Sequence, residues 1–217
     1  ATNRLLNRGS ILASDLLAGT AIVGGSLDEH VRNDGVLVGS IELGAGHNSL
    51  ENKGTGVLLT GAHIGLGAGN VLTNAGWLAP GSFGSIAATV IDGNLVNTPT
   101  AVQWFDVDMT GQRADSLVVQ GDYTADGVVN LLFVSPLKAT HQAYELVSVQ
   151  GQTIDDGLLL STFEMPVIMT ASLSQRDGGT WLDLQPDFSL GGDELPANDS
   201  ALGEHLNAIV DAGATTR

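Results

Sequence analysis

One pattern constrains this chain more than any other: apolar-x-Asn-x-Gly, written four times between Leu5 and Ala79. It reads LLNRGSIL with Asn7 and Gly9, then VRNDGVLV with Asn33 and Gly35. It returns as LENKGTGVLL with Asn52 and Gly54, and as LTNAGWLA with Asn74 and Gly76. Successive asparagines are 26, 19 and 22 residues apart. An irregular spacing near 20 suits one coil of a β-solenoid, in which each turn stacks on the previous one. Asn and Gly tolerate the left-handed backbone that a corner needs. Short strands such as Gly35–Val38 and Val57–Thr60 lie between corners, and their small and aliphatic residues are expected to stack in columns inside the coil. The competing reading is an ordinary glycine-rich β-sandwich.

The stretch LAPGSFGSIAATVIDGNLV, residues 78–96, places Pro80-Gly81 and Gly93-Asn94 around small and β-branched residues. Each pair is a strong turn signal, so it reads as turn, short strand, turn, short strand. After Trp77 longer strands are expected at 104–109, 116–120, 127–134, 144–149, 166–173 and 180–184. In Phe105-Asp106-Val107-Asp108-Met109, apolar and acidic residues alternate as in a strand with one wet face. Residues 191–196 read as a linker. A short helix then follows, capped by Asp199 or Ser200, with Leu202, Leu206, Ile209 and Val210 on one stripe and an end near Gly213. One short helix with a single apolar stripe needs something to pack against.

Charge narrows the partners. Lys+Arg number 8 against 24 Asp+Glu, a net charge of -16, and no Lys or Arg lies between Lys53 and Arg113. Nucleic acid, heparin and anionic lipid surfaces are poor partners for such a chain. A hydrophobic content of 43% argues against disorder. The absence of cysteine excludes disulfides, cysteine catalysis and thiolate metal sites. No run of 18 apolar residues occurs, so no membrane-spanning helix is expected, and ATNRLLNRGS carries no signal-peptide pattern.

No residue set rises to a catalytic or metal site. Asp106 and Asp108 share a strand face, as paired carboxylates of a glycosidase could, but such pairs usually solvate an exposed face. Asp122 and Asp126-Gly127 resemble half a calcium loop without ligands at alternate positions. His30, His47, His63, His141 and His205 show no HxxxH or HxH spacing, and no acidic residue is obviously beside His47 or His63. Ser82 lacks the GxSxG elbow. Dinucleotide and phosphate-loop glycine patterns are missing. Trp77, Trp104 and Trp181 read as core or cap packing. No cofactor is expected.

An ordered set of motifs carries a resemblance. It runs Gly76-Trp77-Leu78-Ala79-Pro80-Gly81, Thr89-Val90-Ile91-Asp92-Gly93-Asn94, Phe105-Asp106-Val107-Asp108 and Ala114-Asp115-Ser116-Leu117-Val118-Val119-Gln120-Gly121. It closes with Gly127-Val128-Val129-Asn130-Leu131 and Tyr144 to Gly151. The set resembles the C-terminal part of pertactin-like autotransporter passenger domains of Gram-negative bacteria. The resemblance implies an all-β right-handed parallel β-helix with a C-terminal β cap and a short helical tail. It implies coils over 1–99, an autochaperone-like cap over 100–190, and a linker and helix over 191–217 that lead toward a translocator barrel. The C-terminal barrel and further N-terminal coils are missing from that pattern, so a fragment is implied.

The implied function is non-enzymatic: folding and secretion of a surface-exposed β-helix, with adhesion or self-association as its roles. The implied partners are the chain's own outer-membrane barrel and a host-surface ligand or a second copy, with no membrane insertion of this segment. Two alternatives stay open: a carbohydrate-active β-helix enzyme, and an adhesin exported by a separate partner protein.

Overall fold

The structure is a computed structural model that describes residues 1–161, 165–166, 168–189 and 197–214. Its strands form a parallel β-solenoid of about six turns with one C-terminal helix. One wall is a seven-stranded parallel sheet of β1 (Thr2–Asn7), β4 (Asp28–Asn33), β6 (Ser49–Asn52), β8 (Val71–Asn74), β11 (Asn94–Asn97), β15 (Tyr123–Ala125) and β18 (Thr153–Asp155). The other strands join one large sheet that wraps the remaining two walls. The second wall holds β2 (Ser10–Leu12), the first halves of β5 (Val36–Gly44) and β7 (Val57–Gly65), then β9 (Trp77–Pro80), β12 (Val102–Asp108), β16 (Val128–Phe133) and β19 (Leu159–Leu160). The third holds β3 (Thr20–Gly25), the second halves of β5 and β7, then β10 (Ala88–Asp92), β14 (Ser116–Val119) and β17 (Gln142–Val149).

Coils stack in register because each wall repeats one inward apolar position. On the first wall Leu5, Val31, Leu50, Leu72, Leu95 and Tyr123 are successive partners. On the second, Leu37, Leu58, Leu78, Gln103 and Val129 form the column; on the third, Ile41, Ile64, Ile91, Val119 and Val149 do so. Every aliphatic member between Leu37 and Val129 is essentially inaccessible. Adjacent coils are about 4.8 Å apart, so each side chain rests on its equivalent one coil away. A β-branched or leucine side chain packs well in that repeated setting.

Parallel pairing does not stop at residue 99. It crosses the expected coil–cap border and continues through β12–β16, β14–β17 and β16–β19, as far as Leu160. The pairing turns antiparallel where β21 (Gly179–Pro186) joins β17 and β20 (Met169–Arg176) joins β21. Among the described residues, the local antiparallel pair of β13 (Arg113–Ala114) with β12 is the other departure. Leu182 and Leu184 of β21 are fully buried against the last coils. The hairpin therefore covers this end on the third wall, while β18 and β19 are the last strands of the first and second walls, with Ile154 and Leu159 exposed. At the other end Leu5, Leu6, Leu12, Leu16, Val23 and Leu27 are all exposed, between 37% and 76%.

The linker expected over 191–196 lies outside the described residues. Helix α1 spans Ala197–Ala214, so Asp199 and Ser200 fall within its first turn, not at its cap. Only half of the expected stripe is covered, Leu206 and Val210 being half-buried. Leu202 and Ile209 are more than half exposed, while Gly203 is buried against the carbonyl of Phe188. Asn207 Nδ2 donates to Asp187 Oδ1 at 3.0 Å, and its Oδ1 accepts from the Phe188 N–H at 2.9 Å. A polar clasp and a close helix–chain approach hold the tail.

Candidate functional site: the corner ladders and the acidic clamp

The asparagines of the repeated pattern meet in one buried ladder. Asn7, Asn33, Asn52, Asn74 and Asn97 occupy the same corner of successive coils, none more than 5% exposed. Each Nδ2 donates to the Oδ1 of the next: 2.8 Å from Asn7 to Asn33, 2.9 Å to Asn52, 2.8 Å to Asn74 and 3.1 Å to Asn97. The second hydrogen of Asn7, Asn33 and Asn52 goes to a backbone carbonyl of the next coil, on Val36, Val57 and Trp77. An amide with two donors and a two-lone-pair oxygen can satisfy this site completely; an aspartate or leucine could not. The ladder has a direction, donating toward the C-terminal end.

It ends on a phenol. Asn97 Nδ2 lies 3.4 Å from the Tyr123 hydroxyl, which also meets the Gln103 amide at 3.3 Å and 3.4 Å. Tyr123 is fully buried, and burial pushes its hydroxyl up to about 12. Nothing in the sequence marked Asn97, Gln103 or Tyr123. Asn97 is followed by Thr-Pro-Thr and not by the Gly that flagged the other rungs.

The corner glycines pack where the preceding coil leaves no room. A Cβ on Gly35 would lie 2.2 Å from the Gly9 carbonyl, and one on Gly76 would lie 2.2 Å from the Lys53 carbonyl. Gly54, expected as the third corner, is displaced: a Cβ there would meet only the Ala75 carbonyl at 3.8 Å. Gly56 holds the corner instead, its carbonyl accepting from Trp77 as that of Gly35 accepts from Val57. The third coil carries two more residues in its turn than the motif spacing implied.

A second ladder runs through another corner, side chain to backbone. Asn48 Oδ1 accepts from the Glu29 N–H, Asn70 from Asn48, Asn94 from Asp122, and Asp122 from Gln152, at 2.8–3.0 Å. Gly121 and Gly151 sit directly over those side chains, where a Cβ would fall 2.2 Å from Asn94 Oδ1 and 2.5 Å from Asp122 Oδ1. Gly93 precedes Asn94 with φ +139°, in the left-handed region. Asp122 thus serves stacking. Asp126 Oδ1 accepts from the neighbouring Gly127 N–H at 2.7 Å. Among the described residues, no three His, Asp or Glu side chains gather to hold a metal.

Pro80 ends β9, and Gly81 (φ +70°) opens a loop, 81–87, that lies over β12. Asp106 does not solvate an exposed face. It is 2% exposed beneath this loop, and its Oδ2 accepts from Gly84 N at 2.5 Å and Ser85 N at 2.7 Å. Asp115, equally buried, accepts from Ala87 N at 2.7 Å and from Asp106 N at 2.9 Å. Burial raises both carboxyls, Asp115 to about 7 with the Asp106 charge adding to the rise. Asp108, two residues on, is held down at about 2 by Arg113 and the Gly111 N–H.

The tryptophans lie outside the core. Trp77 is 43% exposed and Phe83 46%. Their rings stand 5.7 Å and 5.5 Å from that of Trp104, tilted or edge-on, in a cluster on the outer surface. Trp181 carries the Arg176 guanidinium over its ring at 4.7 Å. His63 and His47 have acidic neighbours after all: His63 Nδ1 is 2.5 Å from Glu42 Oε1, and His47 is 3.6 Å from Asp28. His30 meets Ser49 Oγ at 2.7 Å. These pairs bridge adjacent coils. Comparison with known proteins finds no family model, curated protein or solved structure that matches this chain.

Two substitutions follow from this geometry. Asn52→Ala breaks the ladder at its middle and lowers unfolding free energy by about 2–4 kcal/mol, since buried amides on both sides lose a partner. Asn3→Ala, at an exposed hydrogen bond to Glu29, changes it by less than about 0.5 kcal/mol. Denaturant titration of both variants measures the difference. Gly35→Ala is expected to cost roughly 2 kcal/mol or more, whereas Gly54→Ala stays within about 0.5 kcal/mol; equal losses would contradict the assignment of Gly56 to the corner.

Proposed function

We propose that this chain is the C-terminal part of a Gram-negative autotransporter passenger, a surface-exposed, non-enzymatic β-helix whose capped end starts the folding of the coils. The observation that carries the reading is the contrast between the two ends of the stack. At the C-terminal end the β20–β21 hairpin covers the third wall through β17, and the ladder closes on Tyr123 of β15, one strand before the last of its wall. The N-terminal end presents bare strand edges and a cluster of exposed leucines. A bare strand edge is a template for further pairing, and a covered one is not. Such a body grows from cap to open end, in the order in which a chain folding from its C-terminus would add coils. The motif series from Gly76 to Gly151, the acidic charge and the lack of cysteine agree with export and surface display. The expected partners remain the chain's own outer-membrane barrel and a host-surface ligand or second copy.

The carbohydrate-enzyme alternative has less to stand on. Asp106 is engaged by two loop N–H groups and Asp108 by Arg113. Neither faces an open cleft with a second free acid.

Export tests the proposal. The chain is joined ahead of an outer-membrane translocator barrel in a Gram-negative host, and surface-exposed protein is measured against total protein. Leu182→Asp places a charge in the buried face of the cap and is expected to reduce surface display severalfold at unchanged synthesis. Val23→Asp, at the open end and 76% exposed, is expected to leave display unaltered. Equal display of both variants would overturn the proposal.

A further inference from the structure

The 81–87 loop is held by buried carboxyl groups in place of a strand ladder. Asp106 takes the N–H groups of Gly84 and Ser85, and Asp115 takes that of Ala87. The two acids are linked through the Asp106 N–H, which donates to Asp115 Oδ2, and through the Asp115 N–H, which donates to the Asp106 carbonyl at 2.8 Å. Gly81 and Gly84, with φ +70° and +94°, give the loop two points at which it can swing. At its tip Phe83 rests edge-on against Trp104.

We propose that this loop is a pH-released flap, held shut over the two buried acids in mildly acidic medium and let go as they ionise. Opening uncovers Asp106, Asp115 and the inner edge of Trp104, whose ring N–H has no hydrogen-bond partner in the closed form. No ligand or export role is needed for this behaviour, so it stands apart from the function proposed above.

The electrostatic surroundings support it. The loop itself, β9, β14 and β16 carry no titratable side chain. Arg113 of β13 is engaged with Asp108 of β12, and His63 of β7 with Glu42 of β5. Asp92 sits at the far end of β10, paired in register with Gly65, and Glu145 of β17 lies against Gly179. Among the described residues no cation forms an ion pair with Asp106 or Asp115. Burial raises both acids, and the Asp106 charge adds to the rise of Asp115.

The sign follows from linkage. Asp115 binds its proton more tightly under the closed flap, at about 7, than it does when released to its ordinary value of 3.8. The closed form is therefore fully favoured below about pH 4, weakens as pH rises toward 7, and levels off above. Asp106, shifted the same way, adds to the change.

Nuclear magnetic resonance on the full chain tests this. Amide-exchange protection factors of Gly84, Ser85 and Ala87 are followed from pH 5 to pH 8, together with the Asp115 carboxyl carbon. Protection is expected to fall at least roughly 10-fold over that range, in step with the Asp115 titration. Amides of the Asn ladder corners should hold theirs. Asp115→Asn should flatten the pH dependence whatever its effect on the loop's absolute protection. Where that variant fails to fold, the coincidence of the two wild-type curves decides. Constant protection across an Asp115 titration, an Asp115 titration near 4, or an unchanged pH profile in Asp115→Asn would each overturn the flap.

Discussion

The buried asparagine ladder is the interaction on which the rest of this structure depends. A solenoid repeats one cross-section, and any polar group at an inner corner must find partners in the coil above and the coil below. Five asparagines meet that demand through side-chain bonds of 2.8–3.1 Å that run from β1 to β11, the first five strands of the first wall. Burying an amide without a partner is costly, so the bonds fix register as much as they stabilise. A coil displaced by one residue would turn its asparagine outward and place an apolar side chain against two unmet amides. The aliphatic columns on all three walls inherit their alignment from this corner.

Direction is the second consequence. Because each amide donates one way along the stack, the ladder has a beginning and an end. The end is built: Gln103 interrupts a leucine column to meet Tyr123, and both lie beside the last rung. The antiparallel hairpin then covers the edge of β17 that a parallel coil would otherwise extend. Stability is expected to be greatest where ladder, columns and hairpin coincide and least where strands end on solvent. That asymmetry links the local chemistry of one corner to the order in which the coils form.

Much of this was legible in the sequence, for a physical reason. Asn-x-Gly marks a corner because the side chain caps its own turn while glycine clears space for the backbone of the preceding coil, as Asn33 with Gly35 and Asn74 with Gly76 both do. The rule failed where a turn changed length. Gly54 matched the pattern, but Gly56 does the work, and no local signal separates them. Asn97 was hidden by the prolyl turn that follows it. Contacts across coils were also out of reach: Glu42 and His63 are 21 residues apart on strands whose registry depends on every intervening loop. Asp106 looked like a solvated acid because alternation reports which face a residue points to and not whether a loop covers that face. The tryptophans misled similarly, since large aromatic rings on a strand can lie on either side of the wall.

The most direct test of the directional account is a residue-by-residue hydrogen-exchange map of the intact chain. Protection should rise from the open end to the capped end, with β1, β2 and β3 exchanging first and the amides of β14, β16, β17 and β21 last. That gradient would place the stable nucleus at the ladder's closed end. Uniform protection along the stack, or a maximum among β1, β4 and β6, would contradict it, and with it the claim that the coils are built on the cap.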